Sequence, residues 1–96
     1  MASIMVRFYT LWRVFLGTEK DSLRASNVAE AMDQLEAQYG EQFKERLESR
    51  GIVTKQALRD ISLILLNGRS IDKNNLYKVT LKSGDVLHLF PQVMGG

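Results

Sequence analysis

Ile4, Val6 and Phe8 alternate with Met5, Arg7 and Tyr9, the period-two pattern of a strand that buries one face. Arg7 has to stay hydrated, so Ile4, Val6 and Phe8 form the inward set. Leu11, Val14 and Phe15 then recur at i, i+3 and i+4, predicting a short helical turn that Thr10 caps and Gly17 closes in a left-handed conformation. Trp12 falls off that face and reads as a partly covered surface aromatic. Thr18 to Ala25 is polar around Leu23 and predicts a short second strand paired with the first.

Asn27 followed three positions later by Glu30 makes a capping box, and the stretch behind it has the period of a helix. Val28, Ala31, Met32, Leu35 and Tyr39 share one face, with Glu30, Asp33, Gln34 and Glu36 opposite, and Gly40 is the expected stop. A Met and Tyr stripe at this spacing is read as core, not as the wall of a ligand pocket. The polar stretch 41–60 reads as a helical extension through Phe43 and Leu47, then a loop with a short turn at Ala57-Leu58. It is the segment where an insertion or a mobile stretch is expected.

Ile61 to Leu66 is a continuous β-favouring run, and Asn67-Gly68 after it is a hairpin signal, because both residues accept positive φ. Asp72 to Tyr77 predicts a short helical or turn crossing, and Lys82-Ser83-Gly84-Asp85 a turn with Asp85 as turn former. Val86 to Phe90 is the last strand, which Pro91 is expected to halt. Strand, turn, strand, long helix, strand, short strand, turn and strand predict an α+β roll: a mixed sheet of four to five strands with the helix across one face. The first and last strands are expected side by side and parallel. Residues 1–91 form the expected domain and 92–96 a flexible tail.

Composition narrows the chemistry more than the fold. The chain has 96 residues, 45% hydrophobic and 25% charged, with no cysteine, which suits one unstapled domain and excludes disulfides, thiolate zinc sites and a thiol nucleophile. The formal charge is +2, with basic and acidic residues interspersed, so no stripe for nucleic acid is expected. The apolar amino-terminal stretch is interrupted by Arg7 and Arg13 and is too short for a membrane span, giving no membrane association and a cytoplasmic protein as the expectation. His88 is the one histidine, lying between Leu87 and Leu89, so neither a Ser-His-Asp set nor a metal-ligand spacing can be assembled around it. Alternation turns Leu87 and Leu89 inward and His88 and Phe90 outward. No carboxylate pair for acid–base work stands out either. No active site of its own, no metal and no bound cofactor are expected. What remains is the ending Gln92-Val93-Met94-Gly95-Gly96, the thinnest tail amino acids allow, suited to a narrow tunnel.

With Val6-Arg7-Phe8-Tyr9, Val14-Phe15-Leu16-Gly17, the Val28 to Leu35 helix, Leu65-Leu66-Asn67-Gly68, and Ser83-Gly84-Asp85 running through Leu89-Phe90-Pro91 to Gly95-Gly96, the chain resembles the ubiquitin-like β-grasp sulfur carriers. Within them it most resembles the small subunits of molybdopterin synthase. The resemblance covers nearly the whole chain except roughly residues 41–60. That segment is longer than in compact members, and the spacer Gln92-Val93-Met94 stands where members commonly have Pro-Val-Ala or Pro-Val-Ser. The resemblance implies a β-grasp fold and a role for the terminal carboxylate, which is ionised and a poor electrophile until activated. An E1-like adenylating enzyme would use ATP to make an acyl-adenylate at Gly96, and a persulfide donor would convert it to a thiocarboxylate. Gly95 and Met94 would thread into the partner, His88 and Phe90 would dock on it, and the molybdopterin synthase large subunit would be the partner that uses the sulfur. Related tails serve thiamine synthesis and tRNA thiolation. A modifier joined through Gly96 to lysines, and a non-covalent interaction module, are the alternatives of a different class.

Overall fold

The computed structural model describes residues 1–53 and 55–92. The first alternation becomes strand β1 (Ala2–Phe8), with Ala2, Ile4, Val6 and Phe8 buried. Helix α1 (Leu11–Leu16) follows, and β2 (Lys20–Ala25) returns antiparallel to β1 with Ile4 opposite Leu23. Helix α2 (Val28–Glu48) then crosses the sheet, and the chain completes it with β3 (Ser62–Leu66), the two-residue β4 (Arg69–Ser70) and β5 (Val86–Pro91). The strand order is β2-β1-β5-β3-β4, with β1 and β5 parallel at the centre and the other pairs antiparallel. This is the mixed five-stranded α+β roll that the order of elements predicts.

The core lies between the sheet and α2. Val6, Ile64, Leu87 and Leu89 meet Val28, Met32 and Leu35 there, all nearly inaccessible to water. Burying each such side chain stabilises the fold by about 1.5–3 kcal/mol. At the amino terminus of α2 the Asn27 side chain accepts from Glu30 N–H (2.9 Å). The Glu30 carboxylate answers one residue earlier than the usual box, accepting from Ser26 N–H (2.8 Å).

Gly40 does not end this helix. The stripe begun by Val28 and Leu35 continues through Tyr39 to Phe43 and Leu47, both buried, so two large apolar side chains outweigh the roughly 1 kcal/mol cost of an internal glycine. The chain leaves the helix instead at Gly51 (φ 80°), where Ile52 N–H donates back to the Leu47 carbonyl (2.9 Å). Much of 41–60 is therefore ordered secondary structure: the last turns of α2 and a 3-10 turn, Leu58–Ile61. That turn is fastened to α2 by Arg59, whose Nε and backbone N–H both donate to Glu36 Oε2 (2.9 and 3.0 Å) and whose Nη2 reaches Asp33.

Around α1 the expected faces are rotated. Trp12 is completely buried, stacks edge-on against Phe43, and donates from Nε1 to Ser62 Oγ (2.9 Å); Val14, expected on the buried face, is 64% exposed. The cause is the entry into the helix. The Thr10 side chain makes no cap hydrogen bond; the residue sits at φ 50°, ψ −120°, in a turn closed by Trp12 N–H donating to the Tyr9 carbonyl (3.1 Å). That turn advances the helical phase so that Trp12, Phe15 and Leu16 face inward, while Gly17 (φ 68°) terminates the helix as expected.

Among the turns, Asn67 (φ 52°) and Gly68 (φ 84°) have the positive φ pair of a type I′ hairpin. Asp85 acts as turn former: it accepts from Lys82 N–H (2.8 Å) and from Asn67 Nδ2 (3.0 Å), tying the β3–β4 turn to the start of β5. Pro91 does not halt the ladder. It lies in β5 opposite Ser62, and Gln92 N–H donates to the Ile61 carbonyl (2.8 Å) one step further on.

Candidate docking face and tail root

Alternation along β5 buries Leu87 and Leu89 and turns Val86, His88 and Phe90 to the sheet face that α2 leaves open. Residues directly paired across a sheet share a face, so the register assembles the rest. Phe90 lies opposite Leu63 and His88 opposite Leu65 on β3; on β1, Met5 is beside Val86 and Arg7 beside His88. Val86, His88, Phe90, Leu63, Leu65 and Met5 are half-buried and Arg7 is exposed. The product is an apolar strip in the middle of the sheet with a cation at its margin.

Tyr9 organises the centre of this strip. Its N–H donates to the Leu89 carbonyl (3.1 Å), which extends the parallel pairing of β1 and β5 by one step. The ring then lies flat on Phe90, with centroids 4.2 Å apart and planes 12° from parallel, and the hydroxyl sits 2.6 Å from His88 Nδ1. The imidazole tautomer sets the direction of this bond: with the ring proton on Nε2 the Tyr9 hydroxyl donates to Nδ1, and with it on Nδ1 the hydroxyl accepts. Desolvation, then the neighbouring Arg7 charge, lowers the His88 pKa from its ordinary value. Burial and the Arg7 charge thus favour the neutral imidazole in the folded protein.

Both docking residues expected from sequence, His88 and Phe90, are brought together here. Sequence reasoning missed Tyr9, Leu63 and Leu65. Tyr9 could have been found, since a parallel β1–β5 pair puts the outward residue after Phe8 beside the outward residues of β5. Leu63 and Leu65 lie in an unbroken apolar run whose phase only the register reveals. Met94, Gly95 and Gly96 lie outside the described residues. The described chain ends at Gln92, next to Ile61 at the end of the 3-10 turn that precedes β3, beyond the Phe90 end of the strip.

Among the described residues no helix is long and apolar enough to cross a membrane. The arrangement is an apolar strip on the open sheet face, with the last described residue, Gln92, beyond one end of it.

Comparison with known proteins converges on one family. No curated protein matches the chain in sequence. Among solved structures, a chain of the complex of subunits 1 and 2 of molybdopterin-converting factor from Helicobacter pylori is similar at 31% identity. It has a TM-score of 0.61 over 98% of this chain and 99% of that one. The HVO 2177 protein of Haloferax volcanii is similar at 26% identity, with a TM-score of 0.67 over 99% of this chain and 87% of that one. Small archaeal modifier protein 1 of Methanosarcina acetivorans shares the fold, with a TM-score of 0.68 at 22% identity over 100% of this chain and 98% of that one. The family model described as the ThiS family matches residues 6–96, and the chain therefore belongs to that family of small ubiquitin-like β-grasp sulfur carriers.

Proposed function

We propose that the protein is a sulfur carrier that works as the small subunit of a molybdopterin synthase in the cytoplasm. The observation that carries this reading is the match itself: the family model runs through Gly96, and the relative at 31% identity belongs to a two-subunit molybdopterin-converting factor. The chemistry follows from the carboxylate of Gly96. An E1-like adenylating enzyme joins it to AMP at the expense of ATP, so that the carbonyl carbon gains a good leaving group. The terminal sulfur of a persulfide displaces AMP, and a second thiol reduces the resulting acyl disulfide to the thiocarboxylate. Gly95 and Met94 carry this group into the large subunit, where sulfur passes to a pterin precursor. The carrier supplies position, while acid–base groups come from its partners. The strip of Tyr9, His88 and Phe90 supports docking, being a half-desolvated aromatic cluster of the kind that anchors interfaces.

Co-purification tests the molybdopterin branch. A tagged chain should bring down a pterin-binding large subunit; a thiazole synthase or a tRNA-thiolating enzyme in its place would move the protein to another sulfur pathway. The modifier reading rests on the fold shared with the archaeal modifier, and would be favoured by Gly96-to-lysine isopeptides in digested lysate.

A further inference from the structure

The end of β5 is an unpromising place to anchor a working tail. Pro91 has no N–H to give, so the ladder closes on a single exposed backbone bond, Gln92 N–H to the Ile61 carbonyl (2.8 Å). Terminal bonds of this kind fray readily when nothing else holds the strand. A side chain from elsewhere in the fold meets this point. Lys73 opens the 3-10 segment Lys73–Lys78, whose Asp72 cap side chain accepts from Asn74 N–H (2.9 Å). From there its ammonium donates to the Ser62 carbonyl (2.8 Å), to Gln92 Oε1 (3.4 Å) and, most weakly, to the Asp60 carbonyl (3.5 Å).

Every one of these acceptors lies at the same corner. Ser62 is the first residue of β3 and the partner of Pro91, Asp60 precedes the Ile61 carbonyl that holds Gln92, and Gln92 is the first residue of the expected tail. Among the described residues no carboxylate lies within ion-pair distance of Lys73. The cation therefore serves neutral oxygens, and the three protons of an ammonium suit that divergent set.

We propose that Lys73 is a positioning residue for the tail, clamping Gln92 to the start of β3 so that the chain leaves the sheet at a fixed point and in a fixed direction relative to the docking face. This rests on the sulfur-carrier reading. The clamp matters there because Gly96 is only four residues beyond Gln92, about 13 Å when extended, so the position of the root bounds where the reacting carbon can reach. Misplacement of about 1 Å at a reacting centre can cost on the order of a hundredfold in rate.

The test compares Lys73→Met and Lys73→Arg with the parent in two measurements. The first is steady-state thiocarboxylate formation with the activating enzyme, ATP and a persulfide donor, varying the carrier concentration. Lys73→Met should lower kcat about tenfold with KM within about twofold, because the Tyr9–Phe90 strip is untouched, and Lys73→Arg, which keeps the cation and its donors, should recover most of the loss. An unchanged kcat, or a loss confined to KM, would overturn the proposal. The second is amide hydrogen exchange in the free protein. Gln92 N–H should exchange about tenfold faster in Lys73→Met while Leu89 N–H stays as protected as in the parent; equal exchange at Gln92 would overturn the clamp. If the parent itself forms no thiocarboxylate, the carrier reading has failed, and exchange at Gln92 still decides whether Lys73 holds the root.

Discussion

His88 is the residue whose state most affects the open face. Its environment disfavours the imidazolium, so the unfolded chain binds a proton more readily than the folded one. The stability this contributes is therefore complete above about pH 6.5 and is lost as pH falls through that value toward the lower folded pKa. Protonation also leaves Nδ1 able only to donate to the Tyr9 hydroxyl, since both ring nitrogens of an imidazolium are donors. Urea denaturation from about pH 8 to about pH 5 should show a fall in unfolding free energy that His88→Gln largely abolishes. A parent and variant with parallel pH profiles would contradict this account of the site. Asp85 does not confuse the window, because its carboxyl is held below the ordinary value by Asn67 and the Lys82 amide and titrates in a more acid range. Trp12 shows how a single residue escapes a reading by pattern. Its indole N–H is satisfied by Ser62, a residue 50 positions away, and nothing near Trp12 in sequence announces that partner.

At the scale of elements, α2 carries the clearest testable consequence. Gly40 sits inside a 21-residue helix and a Cβ built there meets nothing within 4 Å, so no close approach requires glycine. It borders an apolar cavity of about 230 Å³ floored by Phe43, Leu47, Leu58 and Ile61. Gly40→Ala should stabilise the protein by about 1 kcal/mol, a rise of roughly 4–8 °C in Tm for a domain of this size. An unchanged or lower Tm would show that the helix is not continuous at this point. The same element marks where sequence reading worked and where it stopped. Strands β1, β3 and β5, the parallel β1–β5 pair, the Asn67-Gly68 hairpin and the start of α2 all followed from local period and turn chemistry, because in each the local preference and the tertiary environment agree. Gly40 misled because propensity is a weak prior, overridden by the burial of Phe43 and Leu47 beyond it. Pro91 misled in a similar way. Its missing N–H interrupts donation at one residue, but the next residue, Gln92, still meets the Ile61 carbonyl. The face of α1 was misjudged because the turn at Thr10 sets its phase, and a positive φ at threonine has no signature in the pattern.

At the scale of the molecule, the central parallel pair joins two features that the proposed activity needs. Tyr9 just after β1 and Phe90 on β5 stack to make the middle of the open face, and the chain then runs two residues further to the point where Lys73 and Ile61 hold Gln92. The proposed docking residue Phe90 and the proposed tail root Gln92 thus lie two positions apart along the chain. His88 and Phe90 were legible as outward residues of that strand; Tyr9 and Lys73 were not, because their roles come from contacts with residues 79 and 19 positions away. The central claim concerns Gly96, and intact-mass analysis addresses it most directly. After incubation with an E1-like activating enzyme, ATP and a persulfide donor, the full chain should gain the difference between a sulfur and an oxygen atom, and a chain lacking Gly96 should not. A full chain whose mass stays unchanged under conditions that convert a known carrier would contradict the account.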